Sequence, residues 1–300
     1  MRLLPVPTTP TVLFSSPFCA RSLLMSAADP IIITSPTNPR LKLIKKLHQR
    51  RQRERSGLIL LEGHRLVIDA LDAGFCPEFV LLSDAALDDA AEGARLQAAL
   101  RGAECVARAP SALVAELSDT QTPQGVLAVL SQPSVALPPR PDFVLVCDHI
   151  SDPGNLGTLL RSAAGAGVSA ALLLGGCDAW GPKALRAGMG AQLRLPLRQT
   201  SSWADASQIL SGWDLSVFGA DAGGQCAHFD VDWRQPSALV VGSEAQGLSL
   251  EVRDDPHASL CKIPLAGSGD GASVESLNAA VAGSVILFEV QRQRLCGPKA

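Results

Sequence analysis

The sequence predicts an α/β protein: a mainly parallel sheet domain preceded by a smaller α/β domain. Three observations carry this. Through the second half of the chain, apolar runs of strand length alternate with helical stretches, as a parallel sheet covered on both faces requires. A shorter alternating stretch precedes it, cut off by a segment with four prolines between residues 131 and 142, which cannot join a sheet interior and favours an extended spacer. The 300 residues are 47% hydrophobic and 18% charged, enough apolar material to bury real cores.

The elements follow in order. Asn38-Pro39 offers a cap with proline at the first helical position, and residues 40–55 then read as one helix. Leu41, Ile44 and Leu47 form its apolar stripe, and its remainder carries eight Lys or Arg against one acid, Glu54. Strands are expected over 58–61, 78–83 and 125–130, with helices over 64–73 and 85–100. Beyond the prolines, strands are expected at 143–148, 170–174, 193–197, 214–219, 237–241 and 259–264. Helices fall near 155–165, 181–190 and 202–211, and a long one over 276–294 closes the chain. The resulting division is a leader over 1–29, a front domain over 30–131, a linker over 132–142 and a second domain over 143–296. Ligands of such sheets sit where loops leave the carboxyl ends of strands.

Composition excludes several classes. Aromatic residues are 4% with no Tyr, which argues against stacking platforms for single-stranded nucleic acid. The net charge of −3 excludes a chain-wide basic coat but permits the local one at 40–55. No segment reads as a membrane span. The eight cysteines stand singly, without C-x-x-C, and the five histidines show no ligand spacing, so neither a disulfide framework nor a metal site is expected. The first 28 residues hold two arginines, no acid and many Ser and Thr, as an organellar transit segment does. Their four prolines equally suit a chain whose working start is Met25. The first reading places the protein in a chloroplast or mitochondrion, the second in the cytoplasm.

Three stretches can carry chemistry. Asp152-Pro-Gly-Asn-Leu-Gly-Thr-Leu-Leu-Arg161 follows a strand and opens a helix, so that Asn155 and Arg161 stand less than two turns apart. Gly242-Ser-Glu-Ala-Gln-Gly247 is a glycine-bounded loop after a β-branched strand, with one carboxylate, Glu244. Ile263-Pro-Leu, then Glu275-Ser-Leu-Asn278, leads into an apolar helix whose N-terminus favours electron-rich ligands. Each stretch alone is as easily an ordinary turn or cap. A dinucleotide fingerprint is not met, because Gly165-Ala-Gly167 follows a helix and precedes a strand, the wrong order.

Together and in this order, the three stretches resemble the SpoU/TrmH family of ribose 2′-O-methyltransferases within the SPOUT superfamily. Lys183-Ala-Leu-Arg-Ala-Gly-Met-Gly-Ala191 is a weaker match. In the front domain, Leu61-Glu-Gly-His-Arg65 and Thr122-Pro-Gln-Gly-Val-Leu-Ala128 look like the family's RNA-binding appendage. The resemblance implies a trefoil knot, a rare exception to unthreaded topology, with S-adenosylmethionine held mainly by backbone at Gly242, Ile263 and Leu277. It implies a reacting centre of Asn155, Arg161, Glu244, Ser276 and Asn278, a homodimer in which Arg161 serves the neighbouring subunit, and no metal. The basic positions Arg40, Lys42, Lys45, Lys46, Arg50, Arg51, Arg53 and Arg55 are expected to track RNA phosphates. Large-subunit ribosomal RNA is the expected substrate, with transfer RNA or a non-catalytic RNA-binding role as alternatives. Gly267–Ser273 makes a longer loop than the family's tight turn.

Overall fold

The basic stretch does not form one helix. In the computed structural model, which describes residues 31–101, 105–266 and 276–296, an edge strand β1 (Ile31–Ile32) is followed by two helices, α1 (Pro39–Leu47) and α2 (Arg50–Ser56). The apolar stripe of α1 ends at Leu47, and the chain turns at His48 and Gln49, the latter extended at φ −91°, ψ 126°. The His48 ring fixes this elbow, bonded to the Leu117 carbonyl at 2.8 Å and to Asp119 at 2.7 Å. Residues 1–30 and the stretch Gly267–Ser273, with Glu275, lie outside the described residues.

The front domain continues with β2 (Leu58–Glu62), α3 (His64–Asp72), β3 (Pro77–Ser83), α4 (Ala90–Ala99), β4 (Val106–Ala109), α5 (Ser111–Ala115) and β5 (Val126–Ser131). Its sheet runs β1-β4-β3-β5-β2, with β5 antiparallel to both β2 and β3. One face packs on α1 through Leu41, Ile44 and Leu47, the other on α3 through Leu66, Val67 and Ala70. Sequence patterning misses β4, because Val-Ala-Arg-Ala is too short and too mixed to show a period.

The second domain holds β6 (Phe143–Asp148), α6 (Pro153–Gly165), β7 (Ala170–Leu174), α7 (Pro182–Gly188), β8 (Leu197–Thr200), α8 (Trp203–Gly212), β9 (Ser216–Ala220), β10 (Cys226–Ala227), β11 (Ser237–Val241), α9 (Leu250–Arg253), β12 (Ala258–Lys262) and α10 (Ala279–Cys296). Every pairing in its sheet, β10-β12-β9-β11-β6-β7-β8, is parallel. The strands at its centre are continuous apolar runs because both faces are covered. Phe143, Leu145 and Cys147 of β6 face α6 and α10, while Val144 and Val146 face α8.

One strand is displaced from its expected place. Residues 191–193 form a 3₁₀ turn and the strand begins at Leu197, since Pro196 lacks the N–H a ladder needs and Leu193 is drawn into the front domain's core. Trp180 and Leu185 join that core, so α7 plugs one domain into the other. Two ion pairs flank the plug: Arg53 with Asp178, and Arg186 with Glu62. Across the sheet, the strand order reverses at β6, whose neighbours are β7 on one side and β11 on the other. A crevice therefore opens above the carboxyl ends of β6 and β11.

Candidate active site

The loop leaving β6 and the loop leaving β11 meet in this crevice. Asp152 caps α6, its carboxylate accepting from the Asn155 amide at 2.9 Å, and Pro153 occupies the first helical position. Gly157 lets α6 approach α7, since a Cβ there would lie 2.4 Å from the Ala184 carbonyl. On the other side, Gly242 is pressed against its own loop. A Cβ at Gly242 would lie 2.2 Å from the Gly247 carbonyl group, and Ser243 and Gly247 close the loop by exchanging two backbone bonds.

Glu244, at the tip of that loop, gathers the β6–α6 connection. Its carboxylate accepts from the Ser151 hydroxyl at 3.0 Å, from the Ser151 and Asp152 backbone amides at 3.3 and 3.4 Å, and from Asn155 Nδ2 at 2.8 Å. Burial pushes its pKa up, but the bonds from Asn155 and Ser151 outweigh this and hold it below the ordinary glutamate value. Asn155 Oδ1 in turn accepts from Asn278 Nδ2 at 3.0 Å, and Asn278 Oδ1 accepts from the Ala280 and Val281 amides at the start of α10. A carboxylate only accepts and a helix N-terminus only donates, so both amide orientations are dictated by the ends of the chain. Three segments distant in sequence are thereby tied into one rim.

Below this rim lies a cavity of about 290 Å³ walled by the Gly242–Gly247 loop and by Ile263, Ser276 and Leu277. The structure thus brings together seven of the eight residues expected for the reacting centre and cofactor. Arg161 is the exception. It is exposed on α6, has no partner among the described residues, and stands about 120° around the helix from Asn155. Gly165, one turn further along Arg161's face, abuts Phe288 of α10. Ser151, which donates to Glu244, carries no signal in the sequence, being a single serine before Asp-Pro.

Two expected phosphate contacts are corrected. Arg53 is 4% exposed, held by Asp178 and by the Leu47 carbonyl at 2.6 Å, because α2 turns this side chain inward against α7. Arg40 is half-buried over the Phe79 ring, with its guanidinium 3.1 Å from Cys105 Sγ. Lys42, Lys46, Arg51 and Arg55 are exposed without side-chain partners among the described residues, whereas Lys45 pairs with Glu116 and Arg50 with Glu54. No group of three His, Cys, Asp or Glu among the described residues is arranged to hold a metal, and no described helix is long and apolar enough to cross a membrane.

Residues 142–288 match the model of the SpoU rRNA Methylase family, and residues 38–128 match the MRM3-like substrate binding domain. The mitochondrial rRNA methyltransferase 3 of Homo sapiens is 32% identical over 80% of this chain and 69% of its own. The 23S rRNA (guanosine(2553)-2′-O)-methyltransferase of Bacillus subtilis (strain 168) is 30% identical over 86% of this chain and 98% of its own. Among solved structures, the SpoU methyltransferase AviRb from Streptomyces viridochromogenes, in complex with the cofactor AdoMet, superposes with a TM-score of 0.71. It is 29% identical, with 87% of this chain and all of that one covered. The chain belongs to the SpoU rRNA methylase family.

Proposed function

We propose that this chain transfers a methyl group from S-adenosylmethionine to a ribose 2′-hydroxyl of large-subunit ribosomal RNA. The observation that carries the reading is the amide chain Glu244–Asn155–Asn278 at the mouth of a glycine-walled cavity. The cavity fits the cofactor: Gly242 and Gly247 line it without side chains, and Ile263 and Leu277 offer apolar walls. When bound, the cofactor supplies a methyl already activated on a sulfonium. The protein therefore has to align the acceptor oxygen and ease the loss of its proton, and alignment is worth about 7–11 kcal/mol.

Glu244 is not the base. Its lone pairs are engaged by four donors and its pKa is lowered, so it fixes Asn155 instead. Asn155 and Asn278 each retain an unused N–H beside the cavity, a pair of donors available to a ribose oxygen. The remaining need is a cation for the developing oxyanion and the adjacent phosphate, which a guanidinium meets bidentately.

Arg161 supplies that cation from a second subunit. Val281, Val285 and Phe288 are 49%, 39% and 49% exposed along one face of α10, an apolar stripe at helical spacing, and Arg161 shares the surface that Phe288 borders. A homodimer that buries this stripe sets each Arg161 against the partner's crevice. The knot implied by the family resemblance belongs to the same reading. Lys42, Lys45, Lys46, Arg50, Arg51 and Arg55 provide the affinity for RNA, and the names of the vertebrate relatives favour an organellar destination for residues 1–28.

The test is incubation with labelled S-adenosylmethionine and either unmodified large-subunit ribosomal RNA or transfer RNA. Incorporation into the ribosomal RNA, lost in Asn155→Ala, supports the reading. Incorporation into transfer RNA alone moves the substrate, and none into either overturns it.

A further inference from the structure

Within one subunit the reaction rim has an exposed cation outside the residues assigned above to the reacting centre: Lys183. It stands at the second position of α7 with its side chain 62% exposed, and its Nζ is 2.9 Å from Asp152 Oδ2. Asp152 caps the helix that carries Asn155, and its backbone amide donates to Glu244. Lys183 is therefore one ion pair removed from the groups that hold the acceptor ribose. Its methylene stem runs beside Gly154, where a Cβ would lie 3.8 Å from Lys183 Cε.

The neighbourhood on the other side is the basic front-domain surface. Arg53 Nη2 lies 3.5 Å from where a Cβ on Gly181 would stand, and Arg53 is anchored to Asp178 in the same loop. Arg50, one turn earlier on α2, is held by Glu54, and the nearby charge of Asp178 also raises its pKa. The Cys177–Gly181 loop is itself pinned beneath the reaction loop, since the Cys177 amide donates to the Ile150 carbonyl at 2.9 Å. Arg50, near Asp178, and Lys183, just beyond Gly181, thus bracket the Cys177–Gly181 loop, and Lys183 also meets the rim through Asp152.

We infer that Lys183 binds a phosphodiester of the RNA strand next to the methylated ribose, joining the basic surface of α2 to the reaction rim as one phosphate path. The inference rests on the RNA-methylating reading above. An exposed ion pair such as Lys183–Asp152 is weakly held, so a phosphate, itself an anion, can take Asp152's place at the ammonium. The loss of a point-charge contact affects ground-state and transition-state binding alike, so KM should carry the effect and kcat should not.

The full-length protein with unmodified large-subunit ribosomal RNA tests this, comparing wild type, Lys183→Gln, Lys183→Arg and, as a remote surface control, Arg95→Gln. Lys183→Gln should raise KM for RNA several-fold with kcat and S-adenosylmethionine affinity unchanged. It should also reduce the slope of log affinity against log salt by about 0.7–0.9, the value of one phosphate contact. Lys183→Arg should restore both, and Arg95→Gln should change neither. If wild type methylates the RNA while Lys183→Gln keeps the wild-type KM and salt slope, the phosphate path is wrong and the methyltransferase reading stands. If kcat and cofactor affinity fall instead, Lys183 is only a structural partner of Asp152 and the inference is again overturned. If wild type methylates no RNA, the underlying reading fails and takes the inference with it.

Discussion

Glu244 is valuable to the site as a fixed anion. Replacing it by glutamine puts an NH₂ where donors already converge, from Ser151 and Asn155, and breaks the rule that orients the amide chain. Glu244→Gln should lower kcat on the order of 10²–10³-fold, measured by methyl incorporation, with the thermal midpoint little changed. The depressed pKa also sets a sign. The carboxylate's contribution is present above the ordinary glutamate pKa and is lost only as pH falls through the lower value it has here. Between about pH 8 and about pH 5 the rate should therefore show no acid limb from Glu244, and a fall centred near pH 6 would contradict its role. Gly242→Ala tests the cavity wall. A methyl 2.2 Å from the Gly247 carbonyl group must displace the loop that walls the cavity, so titration calorimetry should show cofactor affinity down by more than about tenfold. The three motifs made these positions legible, because each residue type has a job that few others can do. Ser151 was illegible, since a serine beside a turn has no period and its partner is 93 residues away.

At the scale of elements, patterning located most helices and strands and failed where tertiary packing overrode it. The strands buried on both faces, such as Phe143–Asp148 and Ser237–Val241, announce themselves as unbroken apolar runs. The basic segment misled because composition cannot show an elbow: α1 has an apolar stripe, whereas α2, Arg-Arg-Gln-Arg-Glu-Arg-Ser, has none and is fixed by Arg53 instead. Arg53 therefore contributes to stability more than to RNA affinity. Arg53→Ala leaves the largely buried Asp178 carboxylate without its counter-ion and should cost about 2–4 kcal/mol in chemical denaturation. Arg53→Leu with Asp178→Leu should recover much of that loss, since a buried ion pair is close to balanced against an apolar pair. A cost no larger than that of Arg55→Ala would show that the pair does not join the domains.

The whole molecule raises the question of what completes the reaction rim. The fold class, with its parallel sheet, was legible from alternation, and the location of the crevice followed from where the strand order reverses. The separation of Arg161 from Asn155 is legible once the six-residue spacing is turned by the 3.6-residue period, and it accords with the neighbouring-subunit role that the family resemblance implies for Arg161. Val281, Val285 and Phe288 supply the reason for that separation if two subunits pack there. Phe288→Glu should shift the protein to a monomer by light scattering and abolish methyl transfer while cofactor binding persists. A fully active monomer would return the search for the missing cation to this chain.

The most direct test of the account concerns the atom that receives the methyl. After incubation of ribosomal RNA with the protein and labelled S-adenosylmethionine, the RNA is hydrolysed to completion in alkali and the label is followed. A ribose whose 2′-oxygen is methylated cannot attack its own phosphate, so label is expected in an alkali-resistant dinucleotide. Label released in ordinary mononucleotides would place the methyl on a base and contradict the ribose chemistry assigned to Asn155, Glu244 and Asn278.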